Sequence, residues 1–211
     1  MRIVGIDTPH GRANVHLYPA HAQSPDAVLA LGHGVGGGVT ARDLETVRDA
    51  ALSEGLSVAL VEQPYRVAGR RSPAPAHQLD TAWTVVLDRL RADELAGLLL
   101  VAGGRSLGAR VACRTAAATG AAAVLCLAFP LQPPRRAASA AQSRLHELDD
   151  VAVPTLVVQG TRDPFGMPPP AANRTVVQVA ADHSLRTDLP AVAAAVREWL
   201  PGVVAQAAHV T

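Results

Sequence analysis

Short apolar runs alternate with helix-like segments along most of this 211-residue chain. The runs GLLLV and AVLCLA are apolar throughout, which is typical of strands that are covered on both faces of a sheet. Between such runs, residues 79–90 place leucine, tryptophan and valine side chains at helical spacing. Strands that alternate with helices predict right-handed crossovers and a mostly parallel sheet.

Two strand-like runs near the start of the chain, RIVGI and NVHLYP, are separated by the turn-like segment DTPHGRA. They predict a hairpin that adds an antiparallel edge to the sheet. We therefore expect an α/β fold, a three-layer sandwich whose sheet has about seven or eight strands. Because no linker interrupts the pattern, residues 1–211 are predicted to form a single domain.

Composition narrows the possible functions. The net charge of +1 at pH 7 favours neither nucleic acid nor an anionic membrane as a partner. No run has the ~18 apolar residues of a membrane span, and the first residues lack a signal-peptide pattern.

Cys113 and Cys126 lie in apolar stretches that are typical of buried reduced thiols, so we expect a cytoplasmic protein. All 19 basic residues are arginine, which excludes lysine chemistry and, with abundant alanine and glycine, indicates a GC-rich bacterial genome.

Three strand-like runs end in residues that could form a catalytic triad. The runs finish in GGRSLG, GTRDPFG and AADHSL, which contain Ser106, Asp163 and His183. Sites in such sheets form at the carboxyl ends of the strands, so these side chains are expected to meet. His183 could accept the proton of the weakly nucleophilic Ser106 hydroxyl while Asp163 orients the imidazole. Residues 104–108 match the G-x-S-x-G turn, in which side chains at either glycine would collide with neighbouring backbone.

The glycine-rich loop GHGVGGG follows an earlier strand and should lie beside the serine. The backbone N–H groups of Val35 and Leu107 are the predicted donors to an oxyanion. His33 in the same loop could act as a second base, but local hydrogen bonding is the simpler interpretation. Asp182 adjoins His183, and neighbours in an extended chain point to opposite faces, so Asp182 is predicted to be solvated.

Several arginines lie on the predicted side of the site. Arg66, Arg70 and Arg71 lie in YRVAGRRSPAPAH, a predicted loop after the fourth strand, and are either solvated or a clamp for a carboxylate or phosphate. Arg105 precedes the serine and would either pin the turn or face the substrate. Arg66, Arg70 and Arg105 are the candidate substrate-binding residues.

These motifs, together with PYR, AGRRSP, FPLQPP and VPTLVVQG, resemble those of the α/β-hydrolase superfamily from about residue 28 onward. More closely, the chain is similar to the small lidless bacterial hydrolases called dienelactone-hydrolase-like. That group is also similar to the hydrolase-like subunit of a eukaryotic histone acetyltransferase complex. The sequence departs from true dienelactone hydrolases because Ser106 stands where they carry cysteine. A second departure is MPPPAANR after Asp163, which is too short for the usual helix.

The sequence thus predicts a lidless serine hydrolase that cleaves carboxylic esters or thioesters through an acyl-enzyme, with a small-molecule substrate and no cofactor or metal. One alternative is a hydrolase-like binding or scaffold protein without turnover. Another is a dinucleotide site, because residues 32–37 match G-x-G-x-x-G and Glu62 ends the next strand. That interpretation leaves Ser106, Asp163 and His183 unexplained. Metal motifs such as H-E-x-x-H and paired C-x-x-C are absent from the sequence.

Overall fold

The computed structural model of the protein describes residues 1–20, 26–133 and 143–209. Its strands are β1 (Arg2–Thr8), β2 (Gly11–Tyr18), β3 (Ala27–Gly32), β4 (Ser57–Glu62), β5 (Leu99–Arg105), β6 (Ala123–Leu127), β7 (Thr155–Gly160) and β8 (Arg174–Val179). Its α-helices are α1 (Arg42–Ser53), α2 (Pro64–Val67), α3 (Ala76–Ala92), α4 (Leu107–Thr119), α5 (Leu145–Asp149) and α6 (Leu189–Ala208).

All eight strands belong to one sheet, in the order β1-β2-β4-β3-β5-β6-β7-β8. The β1–β2 hairpin is antiparallel, and β2 also pairs antiparallel with β4. From β4 to β8 every neighbouring pair is parallel. The predicted sheet, mostly parallel with an antiparallel hairpin at one edge, is therefore confirmed.

Helices cover both faces of the sheet and give the predicted three layers. Alternate residues of β3 point to opposite faces, so Val28 and Ala30 join one buried cluster while Leu29 and Leu31 join the other. The first cluster contains the apolar side of α3, including the fully buried Trp83. The second contains the apolar sides of α1 and α6, which pack against each other. Burial on both faces explains why the central strands β3, β6 and β7 read as continuous apolar runs.

Two connections bear on access to the site. The connection from β6 to β7 contains only the five-residue α5 among its described residues, and residues 134–142 lie outside the described part. No lid domain is therefore present in the described portion of that connection. Residues 161–173, between β7 and β8, contain no helix, as expected from the short, proline-rich MPPPAANR segment.

The segment after β4 was expected to be a loop, but it begins with the four-residue helix α2. Pro64 occupies the first turn, where its missing N–H has no helical partner to lose and its fixed φ suits a helix start. None of the helices in residues 1–20, 26–133 and 143–209 has both the length and the apolar character needed to cross a bilayer.

Both cysteines are buried and free. Cys113 of α4 and Cys126 of β6 bring their Sγ atoms to 3.4 Å, which is hydrogen-bond distance for thiols. This hydrogen bond, together with burial, raises the pKa of Cys126 well above its ordinary value.

Candidate active site

Ser106 lies at the turn between β5 and α4, in a backbone conformation that few non-glycine residues adopt. Its φ is 53° and its ψ is −106°, and its N–H donates to the carbonyl of Leu127 at 2.9 Å. Such a conformation costs about 1–3 kcal/mol and persists where the surroundings impose it. The turn presents the Ser106 hydroxyl at the carboxyl edge of the sheet, directly before the N-terminus of α4.

Close backbone packing imposes this turn. A Cβ atom on Gly104 would lie 2.6 Å from both the Gly32 oxygen and the Gly108 carbonyl carbon, and one on Gly108 would collide with the Gly32 carbonyl. We call Gly32, Gly104 and Gly108 the elbow contact. The elbow contact brings the start of α4 against the ends of β3 and β5. The backbones approach so closely there that no side chain would fit between them.

Side chains from three different strand ends meet beside this turn. Ser106 Oγ lies 2.9 Å from His183 Nε2, and His183 Nδ1 lies 2.8 Å from Asp163 Oδ2. Because an ionised carboxylate can only accept, Nδ1 carries the proton and Nε2 is free to accept the serine hydroxyl proton. The Asp163 side chain is fully buried, whereas that of His183 is 19% exposed. The imidazole therefore has a fixed orientation and remains partly exposed to solvent.

Two residues that the sequence analysis missed hold the acid and the base. Gln159 is fully buried, and its Nε2 donates to Asp163 Oδ2 at 2.9 Å. The backbone N–H of Phe165 donates to Asp163 Oδ1 at 2.9 Å. The Phe165 ring also packs edge-on against the His183 ring, with 4.4 Å between the two ring centroids. A polar glutamine in the otherwise apolar run PTLVVQG indicates a buried hydrogen bond at Gln159, but the sequence does not show which residue is its partner.

The two predicted oxyanion donors belong to different segments of the chain. Leu107 is the first residue of α4, and Val35 lies in the loop after β3. Within the described residues, neither N–H donates to a protein acceptor. An N–H at a helix start carries the partial positive charge of the helix dipole, so Leu107 is suited to stabilise an anion.

His33 shapes the glycine-rich loop. Its Nδ1 donates to the Gly34 carbonyl at 2.8 Å, and its Nε2 accepts from the backbone N–H of Gln63 at 3.1 Å. The ring is 2% exposed, and burial lowers its pKa, so the imidazole is neutral. Because both ring nitrogens are hydrogen-bonded to the main chain, His33 connects the loops after β3 and β4. Neither nitrogen is free to act as a base in catalysis.

Arg105 makes its contacts within the protein. Its Nε lies 2.9 Å from Asp43 Oδ2, and its Nη2 donates to the His183 carbonyl at 3.1 Å. Of the two roles that the sequence left open, these contacts favour pinning over a direct substrate contact. Asp43 was missed because an acidic residue in the first turn of a helix is ordinary, and only the fold brings it to Arg105.

The three arginines after β4 have different surroundings. The Arg66 guanidinium lies near Gly38, which follows Val35 in the loop after β3. Its Nε is 3.9 Å from the point where a Cβ atom would stand on Gly38. Arg70 lines a cavity of about 360 Å³ beside the β1–β2 turn, and that cavity does not include Ser106 or His183. Arg71 is exposed, as is Asp182, which accepts hydrogen bonds from Ser184.

A serine, a neutral imidazole and a buried carboxylate in this order can transfer a proton away from the serine as it attacks an electrophile. In the described part of the chain, no three His, Cys, Asp or Glu side chains converge as metal ligands would.

A model of the family described as an alpha/beta hydrolase domain matches residues 25–189 of the sequence. The chain therefore belongs to this family of α/β hydrolases, and the glycine-rich loop lies within the matched residues. A comparison of the sequence with curated proteins found no match.

Solved structures of small α/β hydrolases share the fold along nearly the whole chain. A lidless α/β serine hydrolase from Xanthomonas campestris is 21% identical with a TM-score of 0.73, and 95% of each chain is covered. Dienelactone hydrolase from Anabaena variabilis is 17% identical with a TM-score of 0.75, covering 95% of this chain and 96% of that one. Est1E from Butyrivibrio proteoclasticus is 17% identical with a TM-score of 0.78, covering 97% and 100%.

Proposed function

We propose that this protein is a serine hydrolase that cleaves carboxylic esters, with thioesters as the second substrate class. The observation that carries the proposal is the continuous hydrogen-bond chain from Ser106 Oγ through His183 to Asp163. Ester cleavage is also consistent with the solved neighbours, which include an esterase domain from Rhodothermus marinus and Est1E with bound ferulic acid.

In the first half of the reaction, Ser106 Oγ attacks the carbonyl carbon of the ester while His183 Nε2 takes the hydroxyl proton. The carbonyl oxygen becomes an oxyanion, which accepts hydrogen bonds from the N–H groups of Leu107 and Val35. One such donor contributes about 3 kcal/mol to the barrier reduction. When the tetrahedral intermediate collapses, the bond to the alkoxy group breaks, and His183 gives its proton to the departing alcohol.

In the second half, water attacks the acyl-enzyme and His183 takes one of its protons. Collapse of this second intermediate releases the carboxylic acid and returns the proton to Ser106. Throughout, Asp163 stabilises the imidazolium and keeps Nε2 directed at the serine. Gln159 and the Phe165 N–H hold both oxygens of that carboxylate in place.

The described residues place no lid over Ser106, so the substrate reaches an open edge of the sheet. An open site excludes water poorly, which favours small, activated esters and modest specificity. Arg66 remains a candidate for contact with a substrate carboxylate, because it lies beside the loop that carries Val35. Arg70 is a weaker candidate, because the cavity that it lines does not include Ser106 or His183.

The test is covalent labelling with a fluorophosphonate, with the modified residue located by mass spectrometry. We expect a single adduct on Ser106, and in both Ser106→Ala and His183→Ala a fall in labelling rate of about a thousand-fold or more. Ser184→Ala is the matched control, because the Ser184 hydroxyl donates to exposed Asp182 rather than to His183. A panel of acetyl esters and thioesters then ranks the two substrate classes.

Well-folded protein that is not labelled would overturn the mechanism and favour a hydrolase-like binding or scaffold protein. Labelling that persists in His183→Ala would also contradict it, since the serine would then be activated by some other group.

A further inference from the structure

Arg105 occupies an unusual position, because it is the last residue of β5, the chain neighbour of Ser106, and a hydrogen-bond donor to the main chain of His183. In the described residues, no other side chain donates to the His183 carbonyl. The guanidinium therefore connects the strand that carries the nucleophile directly to the loop that carries the base.

Asp43 in the first turn of α1 fixes the other side of this guanidinium. The residue is 1% exposed, and its Oδ2 lies 2.9 Å from Arg105 Nε. Burial raises the pKa of Asp43, while the Arg105 charge acts in the opposite direction and favours the ionised carboxylate. A charge removed from water in this way contributes little net stability, since desolvation offsets most of the Coulomb attraction. The ion pair between Arg105 and Asp43 is therefore better suited to fixing the positions of the segments around it than to stabilising the fold.

The planar guanidinium restricts three segments at once. Nε faces Asp43 of α1, Nη2 faces the His183 carbonyl, and Nη1 lies 2.7 Å from where a Cβ would stand on Gly34 in the loop after β3. These are the segments that carry or adjoin the base and the predicted oxyanion donor Val35. All three contacts of the guanidinium lie outside the side chains of the triad, in which Ser106 Oγ is 2.9 Å from His183 Nε2.

We propose that Arg105 and Asp43 form a positioning pair that holds His183 against Ser106. The proposal rests on the proposed serine hydrolase function, since it assigns the pair to alignment of the base. A displacement of about 1 Å in an aligned pair of reacting groups costs up to about a hundred-fold in rate. The positioning pair acts through His183 and touches neither the substrate nor the reacting atoms.

The experiment measures fluorophosphonate inactivation as a function of reagent concentration, which separates the limiting rate kinact from the half-saturating concentration KI. The main variant is Arg105→Gln combined with Asp43→Asn, because removing Arg105 alone would leave a buried carboxylate without its partner. We expect kinact per folded molecule to fall about ten- to a hundred-fold with KI nearly unchanged.

Two further variants sharpen the result. Arg105→Lys keeps the positive charge but loses the planar fork, so it should recover part of kinact. Asp80→Asn is the matched control, because Asp80 also pairs with a partly buried arginine, Arg114, away from the triad. It should leave kinact at the wild-type value. Thermal melting of every variant gives the folded fraction that normalises the rates.

Four outcomes separate the alternatives. Wild-type protein that is not labelled overturns the proposed function itself. A labelled wild type whose double variant has the same kinact per folded molecule overturns the positioning role and leaves a structural one. A raised KI with unchanged kinact overturns it in favour of direct substrate contact. A lowered kinact with partial rescue by Arg105→Lys supports the proposal.

Discussion

The first turn of α4 and the outward side of the same helix are both held firmly, but by different interactions. The first turn is held by the elbow contact, in which backbone atoms of three glycines approach closer than any side chain would permit. The outward side carries Arg110 and Arg114, which pair with Glu147 of α5 at 2.6 and 3.1 Å. Arg114 also pairs with Asp80 of α3 at 2.6 Å. We call Asp80, Arg110, Arg114 and Glu147 the flank cluster.

The difference shows how one helix can serve two purposes. Backbone contact is rigid and leaves no alternative arrangement, so it suits the end that presents Ser106. Charged side chains that are between 5% and 24% exposed can rearrange and share partners, so they suit the junction of α3, α4 and α5. A change in the elbow contact should therefore affect both reactivity and stability, and a change in the flank cluster should affect stability alone.

Gly108→Ala should have the largest effect on the free energy of unfolding. The added methyl group would collide with the Gly32 carbonyl, so α4 must move away from β3. Overpacking of this kind costs about 3 kcal/mol, and Ser106 would move with the helix. We expect a lower midpoint in urea and a fluorophosphonate labelling rate at least about ten-fold lower.

Gly202→Ala is its control, because a Cβ on this helical glycine of α6 meets no atom within 4 Å. Alanine there should be neutral or stabilising by up to about 1 kcal/mol. A normal labelling rate in Gly108→Ala would show that the glycines are not needed for the geometry of the serine.

Glu147→Gln should have the next largest effect. It removes the carboxylate between Arg110 and Arg114, leaving two partly buried guanidinium groups side by side. We expect a loss of about 2 kcal/mol, less than for a fully buried pair because both arginines reach solvent. Urea denaturation measures the loss. The labelling rate per folded molecule should stay at the wild-type value, and a fall comparable to that of Gly108→Ala would break the distinction between the two regions.

The smallest effect concerns acid. Burial alone would raise the pKa of Glu147, but the hydrogen bonds and charges of Arg110 and Arg114 outweigh it and lower this pKa. The stability from this group is therefore fully present above the unfolded-state pKa of about 4.3 and is lost as the pH falls through the lowered folded-state value. Urea denaturation at pH 7, 5 and 3 should show a smaller decline in Glu147→Gln than in the wild type. Equal declines would mean that Glu147 titrates alike in the folded and unfolded states.

Much of the fold could be predicted because its central strands are buried on both faces and its helices on one, which gives two distinct periodicities. The positions of Ser106, Asp163 and His183 followed from a rule about strand ends, and the structure brings them within hydrogen-bond distance. The short helix α2 was missed because a segment of four residues has too little periodicity to be recognised.

The contacts that support the triad could not be predicted, for a physical reason. Asp43 and Arg105 are far apart in sequence, and their contact exists only because α1 begins, and β5 ends, at the same edge of the sheet. Gln159 and Phe165 act through an amide hydrogen bond and a ring contact, and neither residue type has a spacing that marks such a role. A sequence pattern identifies the reacting groups more easily than it identifies the groups that hold them in place.

The adjoining thiols of Cys113 and Cys126 give the protein an intrinsic reporter of motion. They are the only two cysteines in the chain, both are buried, and the raised pKa of Cys126 keeps it protonated. An alkylating reagent needs an exposed thiolate, so it must wait for α4 to separate from β6. The rate of alkylation of native protein therefore reports how readily the helix that begins beside Ser106 opens, with no cysteine introduced by mutation.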